Sequence, residues 1–177
     1  MARYFIELAY NGRNYHGWQI QPGTPTVQEA LNRALSTLLR EEIQVVGAGR
    51  TDTGVHASFY VAHFDTCQSL EYPEQTVYKL NRILGKDIAV SRIYPVATDK
   101  HARFSAVSRT YQYFIDKNKN PFTCEYAWKV YPLPDIRLMN EACQVLFEYR
   151  DFTSFSKLHT DVKTNNCIIM DAHWKDT

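Results

Sequence analysis

The chain has 177 residues, 45% of them hydrophobic, which is enough for one domain with its own core or for two small lobes. Its apolar residues fall in short runs, none near the roughly 20 residues of a membrane helix, so no membrane span is expected. A net charge of +1 does not announce a polyanion partner, and a nucleic-acid site would have to come from local clusters of Arg and Lys.

The opening run Met1-Ala2-Arg3-Tyr4-Phe5-Ile6-Glu7 meets charges early and has no long apolar segment before a cleavage site, which reads as a cytoplasmic protein. Cys67, Cys124, Cys143 and Cys167 are widely spaced and form no C-x-x-C pair, so reduced thiols are expected.

In chain order, Arg3 to Tyr10 alternates as a half-buried strand that ends at the turn Asn11-Gly12-Arg13-Asn14. A polar loop runs through Gly23. Thr26 and Glu29 have capping-box spacing, and Val27, Ala30, Leu31, Ala34, Leu35 and Leu38 then predict the clearest helix. Ile43 to Val46 and Phe59 to Phe64 read as strands on either side of a glycine-rich segment. Pro73 opens a second helix, with Val77, Leu80 and Leu84 on one face, which stops at Gly85, and Ile88 to Val96 returns to strand. The order β-α-β-β-α-β over residues 1–98 is that of a ferredoxin-like lobe.

The pattern restarts over residues 99–177. Strands are expected at His101 to Val107, Arg109 to Asp116 and Trp128 to Tyr131, a helix at Asp135 to Tyr149, and a last strand at Cys167 to Met170. A strand so near Thr177, with no partner after it, suggests a second lobe that is smaller or incomplete.

Gly47-Ala48-Gly49-Arg50-Thr51-Asp52-Thr53-Gly54-Val55-His56-Ala57 packs three glycines, a cation, an anion and an imidazole between two strands. It fits neither a dinucleotide loop nor a nucleoside-triphosphate loop, because no helix pattern follows and no Lys-Ser/Thr pair closes it. An elaborate strand connection and a site of catalysis or binding both remain open. Arg50 and Asp52, two apart on an extended strand, would share a face, an arrangement that keeps a carboxylate ionised beside a polyanion.

Gly49-Arg50-Thr51-Asp52-Thr53-Gly54-Val55-His56-Ala57 resembles the signature of the tRNA pseudouridine synthase A family, with Thr53 where Ala is common. Further resemblances follow in order: Tyr15-His16-Gly17-Trp18-Gln19 to Y-x-G-W-Q, and His101-Ala102-Arg103-Phe104-Ser105-Ala106 to H-A-R-F-S-A. Arg109-Thr110-Tyr111 then resembles R-x-Y, and Asp151-Phe152-Thr153-Ser154-Phe155 resembles D-F-T-S-F. The resemblance implies an α+β pseudouridine synthase fold, two ferredoxin-like lobes with a mostly antiparallel central sheet and a catalytic cleft. It implies a homodimer that isomerises uridine in the anticodon stem-loop of tRNA, with Asp52 as nucleophile. It also implies a later segment with an Arg that closes the site, expected beyond Thr177.

Such an isomerisation needs no metal and no redox cofactor, and one carboxylate attacking sugar or base serves it. The resemblance makes Arg50 the group that fills the space of an extruded uridine or holds a phosphate, and Tyr111 the ring against the uracil. Lys100, Arg103 and Arg109 are close in sequence, and Arg103 and Arg109 are candidate RNA contacts. His16, His56, His63 and His101 have no metal-ligand spacing. Two rival readings are a non-catalytic RNA-binding module on the same scaffold and a hydrolase that uses Asp52 with Asp65 or His56.

Overall fold

Tyr4, Ile6, Leu8 and Tyr10 alternate with half-buried neighbours along β1 (Ala2–Tyr10), and that period of two buries one face of the strand. A computed structural model of the chain describes residues 1–156 and 164–176, which divide into two units, Met1–Thr110 and Tyr111–Thr177. In the first unit β1 is followed by α1 (Val27–Leu39), β2 (Val46–Gly47), β3 (Ala57–Thr66), α2 (Pro73–Ile83) and β4 (Ile88–Val96). The four strands form one sheet in the order β2-β3-β1-β4, antiparallel throughout. The expected β-α-β-β-α-β order is therefore present, as a mixed α and β fold on an antiparallel sheet.

The buried strand residues meet the apolar stripe of α1, which presents Val27, Leu31, Ala34, Leu35 and Leu39, together with Leu80 of α2 and Leu84 at its end. Thr26 caps α1 as its spacing predicted, its hydroxyl accepting the Glu29 N–H at 3.3 Å. A cap of this kind contributes about 1 kcal/mol. The β1–β3 register slips between Leu8 and Tyr10, so the end of β3 next to the glycine-rich segment is re-aimed.

The predicted strand Ile43 to Val46 forms only at Val46, the first residue of β2, and the stretch before it is loop, although Ile43 and Val45 are buried. Its backbone is held by α1 instead. Asn32 Oδ1 accepts from the Val45 N–H at 2.9 Å, Ser36 Oγ accepts from the Ile43 N–H at 2.8 Å, and Gln28 Nε2 donates to the Val45 carbonyl at 2.7 Å. Three side chains four residues apart on one helix thus take the place of a strand ladder.

His101 to Val107 is not a strand either. It turns back on itself, with the Ser105 N–H on the His101 carbonyl at 2.8 Å and the Ser105 hydroxyl accepting the His101 N–H at 3.0 Å. Short polar side chains that satisfy the nearby backbone favour such turns over ladders.

Among the described residues of the second unit, Ile115–Asp116 (β5) and Trp128–Lys129 (β6) pair in parallel, where longer strands were expected. The aromatic run Tyr111, Tyr113 and Phe114 is exposed, and none of the unit's described residues is fully buried. α3 (Ile136–Val145) is capped by Asp135, whose carboxylate accepts the Arg137 N–H at 2.8 Å, and one tighter turn (Leu146–Glu148) completes the predicted helix. Around Cys167 the expected strand reduces to a single bridge, Asp151 to Asn166, with the Cys167 N–H on the Arg150 carbonyl. No helix among the described residues is long and apolar enough to cross a membrane.

Candidate active site

β2 and β3 form a short hairpin, pairing Val46 with His63 and Gly47 with Ala62, and the connection between them holds Arg50 and Asp52. Residues 48–56 are loop rather than strand, so the period-two reason for placing Arg50 and Asp52 on one face does not apply. Both side chains are exposed. Among the described residues the Asp52 carboxylate makes no hydrogen bond or ion pair. It stands in water at the tip of a loop whose backbone is held at many points.

Those points come from three directions. From the segment after β1, the Trp18 N–H donates to the Thr51 carbonyl at 3.1 Å, and the Gly54 N–H donates to the Tyr15 carbonyl at 3.3 Å. Gly17 sits at φ +83°, and a Cβ there would collide with the Thr51 carbonyl oxygen, so the Tyr15-to-Gln19 element needs glycine to lie against the loop. At the end of β1 the Tyr10 hydroxyl shares a hydrogen bond with Thr51 Oγ1 at 3.0 Å, and the Gly12 N–H donates to His56 Nδ1 at 3.2 Å. Within the loop the Val55 N–H closes a turn on the Asp52 carbonyl at 3.2 Å.

The third direction is Arg109. Its Nε and Nη2 both donate to the Ala48 carbonyl, at 3.2 and 2.6 Å, and Nη2 also donates to the Arg103 carbonyl at 2.9 Å. The guanidinium thus ties the loop to the His101-to-Ala106 element. That element is seated on the sheet through Ala102, which is buried and whose N–H donates to His63 Nδ1 at 3.2 Å. The His101 ring lies 4.5 Å from His63 and 4.4 Å from Phe104, and Arg103 reaches over the Phe104 ring at 5.7 Å.

Beneath it Arg3 grips Asp65 with two hydrogen bonds of 2.8 and 2.7 Å and donates to the carbonyls of Thr98 and Lys100. The Arg3 hydrogen bond holds the Asp65 carboxyl below its usual range. Burial, reinforced by His101 and Arg3, pushes His63 down to about 4. His63 is thus a neutral acceptor at physiological pH.

The structure therefore brings Arg50, Asp52, Arg103 and Arg109 onto one tied set of loops in the first unit. Tyr111 opens the second unit, and its ring is exposed. Sequence reading missed Tyr60 and His63 as supports of the site. Period-two alternation through Tyr60, Ala62 and Phe64 was the available signal for the first, and nothing local marked the second.

Comparison with known proteins places the chain among relatives. Residues 8–105 match the tRNA pseudouridine synthase family. The chain is 55% identical over 174 residues to tRNA pseudouridine synthase A of Parabacteroides distasonis, covering 98% of this chain and 69% of that protein. It is 58% identical to the protein of the same name from Bacteroides thetaiotaomicron, with 98% and 64% covered, and 40% identical to that of Bacillus subtilis, with 96% and 70% covered. The chain thus spans about two thirds of the length of these curated relatives. A match that takes in the strand β1, the Arg50–Asp52 loop and the element that seats on His63 leaves one conclusion: the chain belongs to the tRNA pseudouridine synthase family.

Proposed function

We propose that the protein isomerises uridine to pseudouridine in the anticodon stem-loop of tRNA, with Asp52 as the nucleophile. The observation that carries the reading is an exposed carboxylate without a side-chain partner among the described residues, on a loop tied through peptide groups of Ala48, Gly49, Thr51, Asp52, Gly54 and Val55. A carboxylate held this way loses little freedom when a substrate arrives, and preorganisation of that kind favours attack.

In the reaction the bond from the ribose carbon to the uracil nitrogen breaks, the base turns, and the same ribose carbon bonds to carbon 5 of the ring. The hydrogen on carbon 5 leaves as a proton and the freed ring nitrogen takes one up, so the product is an isomer of the substrate and atoms and electrons balance without any oxidant. Asp52 attacks sugar or base to hold the fragment between the two bonds. Arg50, exposed beside it, fills the space of the extruded uridine or takes a phosphate, and Tyr111 supplies a ring for the uracil to stack against.

Arg103 and Arg109 contribute cationic contacts to the RNA backbone. In Arg109 the Nη1 N–H groups are the ones left for phosphate, since Nε and Nη2 hold the loop. Assembly as a homodimer rests on the family resemblance.

The test is tritium release from tRNA carrying 5-tritiated uridine, with the full-length protein and Asp52→Asn side by side. Release by the parent and background release by the variant, at unchanged or tighter tRNA binding, is the expected result. A folded parent that binds tRNA and releases nothing would sink the reading in favour of an RNA-binding module, and free uracil among the products would favour a hydrolase.

A further inference from the structure

Tyr60 lies on β3 with Ala62 and Phe64, on the face that packs against the helices, and is only 9% exposed. Its ring lies 4.3 Å from Trp18, tilted by 31°, and meets Tyr10 edge-on at 5.6 Å. A Cβ on Gly47 would strike both the Tyr60 hydroxyl and the Trp18 ring, so glycine there is what lets the phenol pass across the hairpin. The hydroxyl then reaches Gly49, accepts its N–H at 3.1 Å and donates to its carbonyl. A phenol has one proton and two lone pairs, so it can make both bonds at once.

The result is a complete hold on the two residues before Arg50. The Ala48 N–H donates to the Val61 carbonyl at 2.9 Å, the Ala48 carbonyl is taken by Arg109, and both polar groups of Gly49 are taken by Tyr60. On the other side Thr51 is held at its carbonyl by Trp18 and at its side chain by Tyr10. Arg50 is the residue between two clamps. Few backbone torsions are left to vary there, and those few decide where its side chain and the Asp52 carboxylate point.

We propose that the Tyr60 hydroxyl is a positioning group, which fixes the peptide ahead of Arg50 and thereby aims Arg50 and Asp52 at the uridine. This deepens the isomerase reading above and rests on it. Nothing in a core role for the ring requires the hydroxyl to take both polar groups of one loop residue.

Tyr60→Phe keeps the ring contacts with Trp18 and Tyr10 and removes only the oxygen. In the full-length protein kcat is expected to fall about tenfold or more, with tRNA affinity within about twofold and Tm within a few degrees, because small misplacement at a reacting centre is costly while binding is spread over many contacts. Amide exchange at Gly49 and Arg50 is expected to accelerate while the central amides of β1 and β3 keep their protection.

Faster exchange beside unchanged turnover overturns the proposal and leaves the isomerase reading standing. Unchanged exchange overturns it as well, and so does a parallel loss of Tm, tRNA affinity and kcat, which is what a purely structural hydroxyl would produce. Parent protein without turnover removes both the isomerase reading and this inference.

Discussion

Acidification should unfasten the first unit in a window that belongs to His63. The side chain is 3% exposed, its Nδ1 accepts the Ala102 N–H, and it is faced by His101 from the covering loop, by Arg3 from β1 and by Asp65 from its own strand. Burial, then His101 and Arg3, lower it from 6.5 to about 4, with Asp65 opposing. In the unfolded chain it binds a proton near 6.5, so the unfolded state takes up more protons between those values and stability falls as pH falls. The contribution is complete above about pH 7, is reduced by about 2 kcal/mol at pH 5, and by about 3 kcal/mol at pH 4.

Asp65 is lowered from 3.8, so its contribution is held above that value and lost only below it, which separates the two windows. His101 is lowered as well and adds to the loss with the same sign, so a variant at position 63 is needed to isolate the effect. His63→Gln offers an oxygen to the Ala102 N–H and cannot titrate. Urea unfolding of both proteins at several pH values between 7.5 and 4.5 should show the parent losing more stability on acidification than the variant, by about 2 kcal/mol near pH 5. Parallel pH profiles in the two proteins would refute the assignment.

Two further outcomes follow from the site. Gly17→Ala puts a side chain at φ +83° and a methyl against the Thr51 carbonyl, so a loss of roughly 2 kcal/mol or more is expected, read as a fall in Tm of about 4 to 8 °C; a Tm within about a degree of the parent would contradict the close approach. Arg103→Ala should weaken tRNA binding evenly across sequences and flatten the salt dependence by about one unit of slope, and filter binding over a salt series with no change in slope would remove Arg103 from the RNA surface.

What could be read in advance was what local chemistry specifies. α1 was legible because a capping threonine and an apolar stripe both lie within one segment, at Thr26 and from Val27 onward. β1 and β4 were legible because alternation survives when one face is buried. Ile43 to Val45 misled because apolar side chains say that a segment is buried and not which groups satisfy its backbone. There the satisfying groups are Gln28, Asn32 and Ser36, which in sequence look like the solvated face of a helix. His63 carried no local sign of its role. Alternation puts it on the opposite face from Ala62 and Phe64, and the return of the chain at Ala102, far along the sequence, covers it.

The glycine-rich segment marks the limit of that reading most clearly. Arg50 and Asp52 were singled out from their types and spacing, on the assumption of a strand that would align them. The loop instead reaches its shape through contacts with Tyr10, Trp18, Tyr60 and Arg109, none of which belongs to the segment. A ladder would have fixed the pair by periodicity and spent their backbone groups on neighbouring strands. Clamps on the flanking residues fix the same peptide groups while leaving both charged side chains exposed to the outside. That is the arrangement a large polyanionic substrate requires, since it has to be met at the surface by groups that do not first need to be ordered. It also places the burden of precision on residues with no chemistry of their own, which is why Tyr60, rather than a further charged group, is the position where the loop's geometry can be altered without touching its charge.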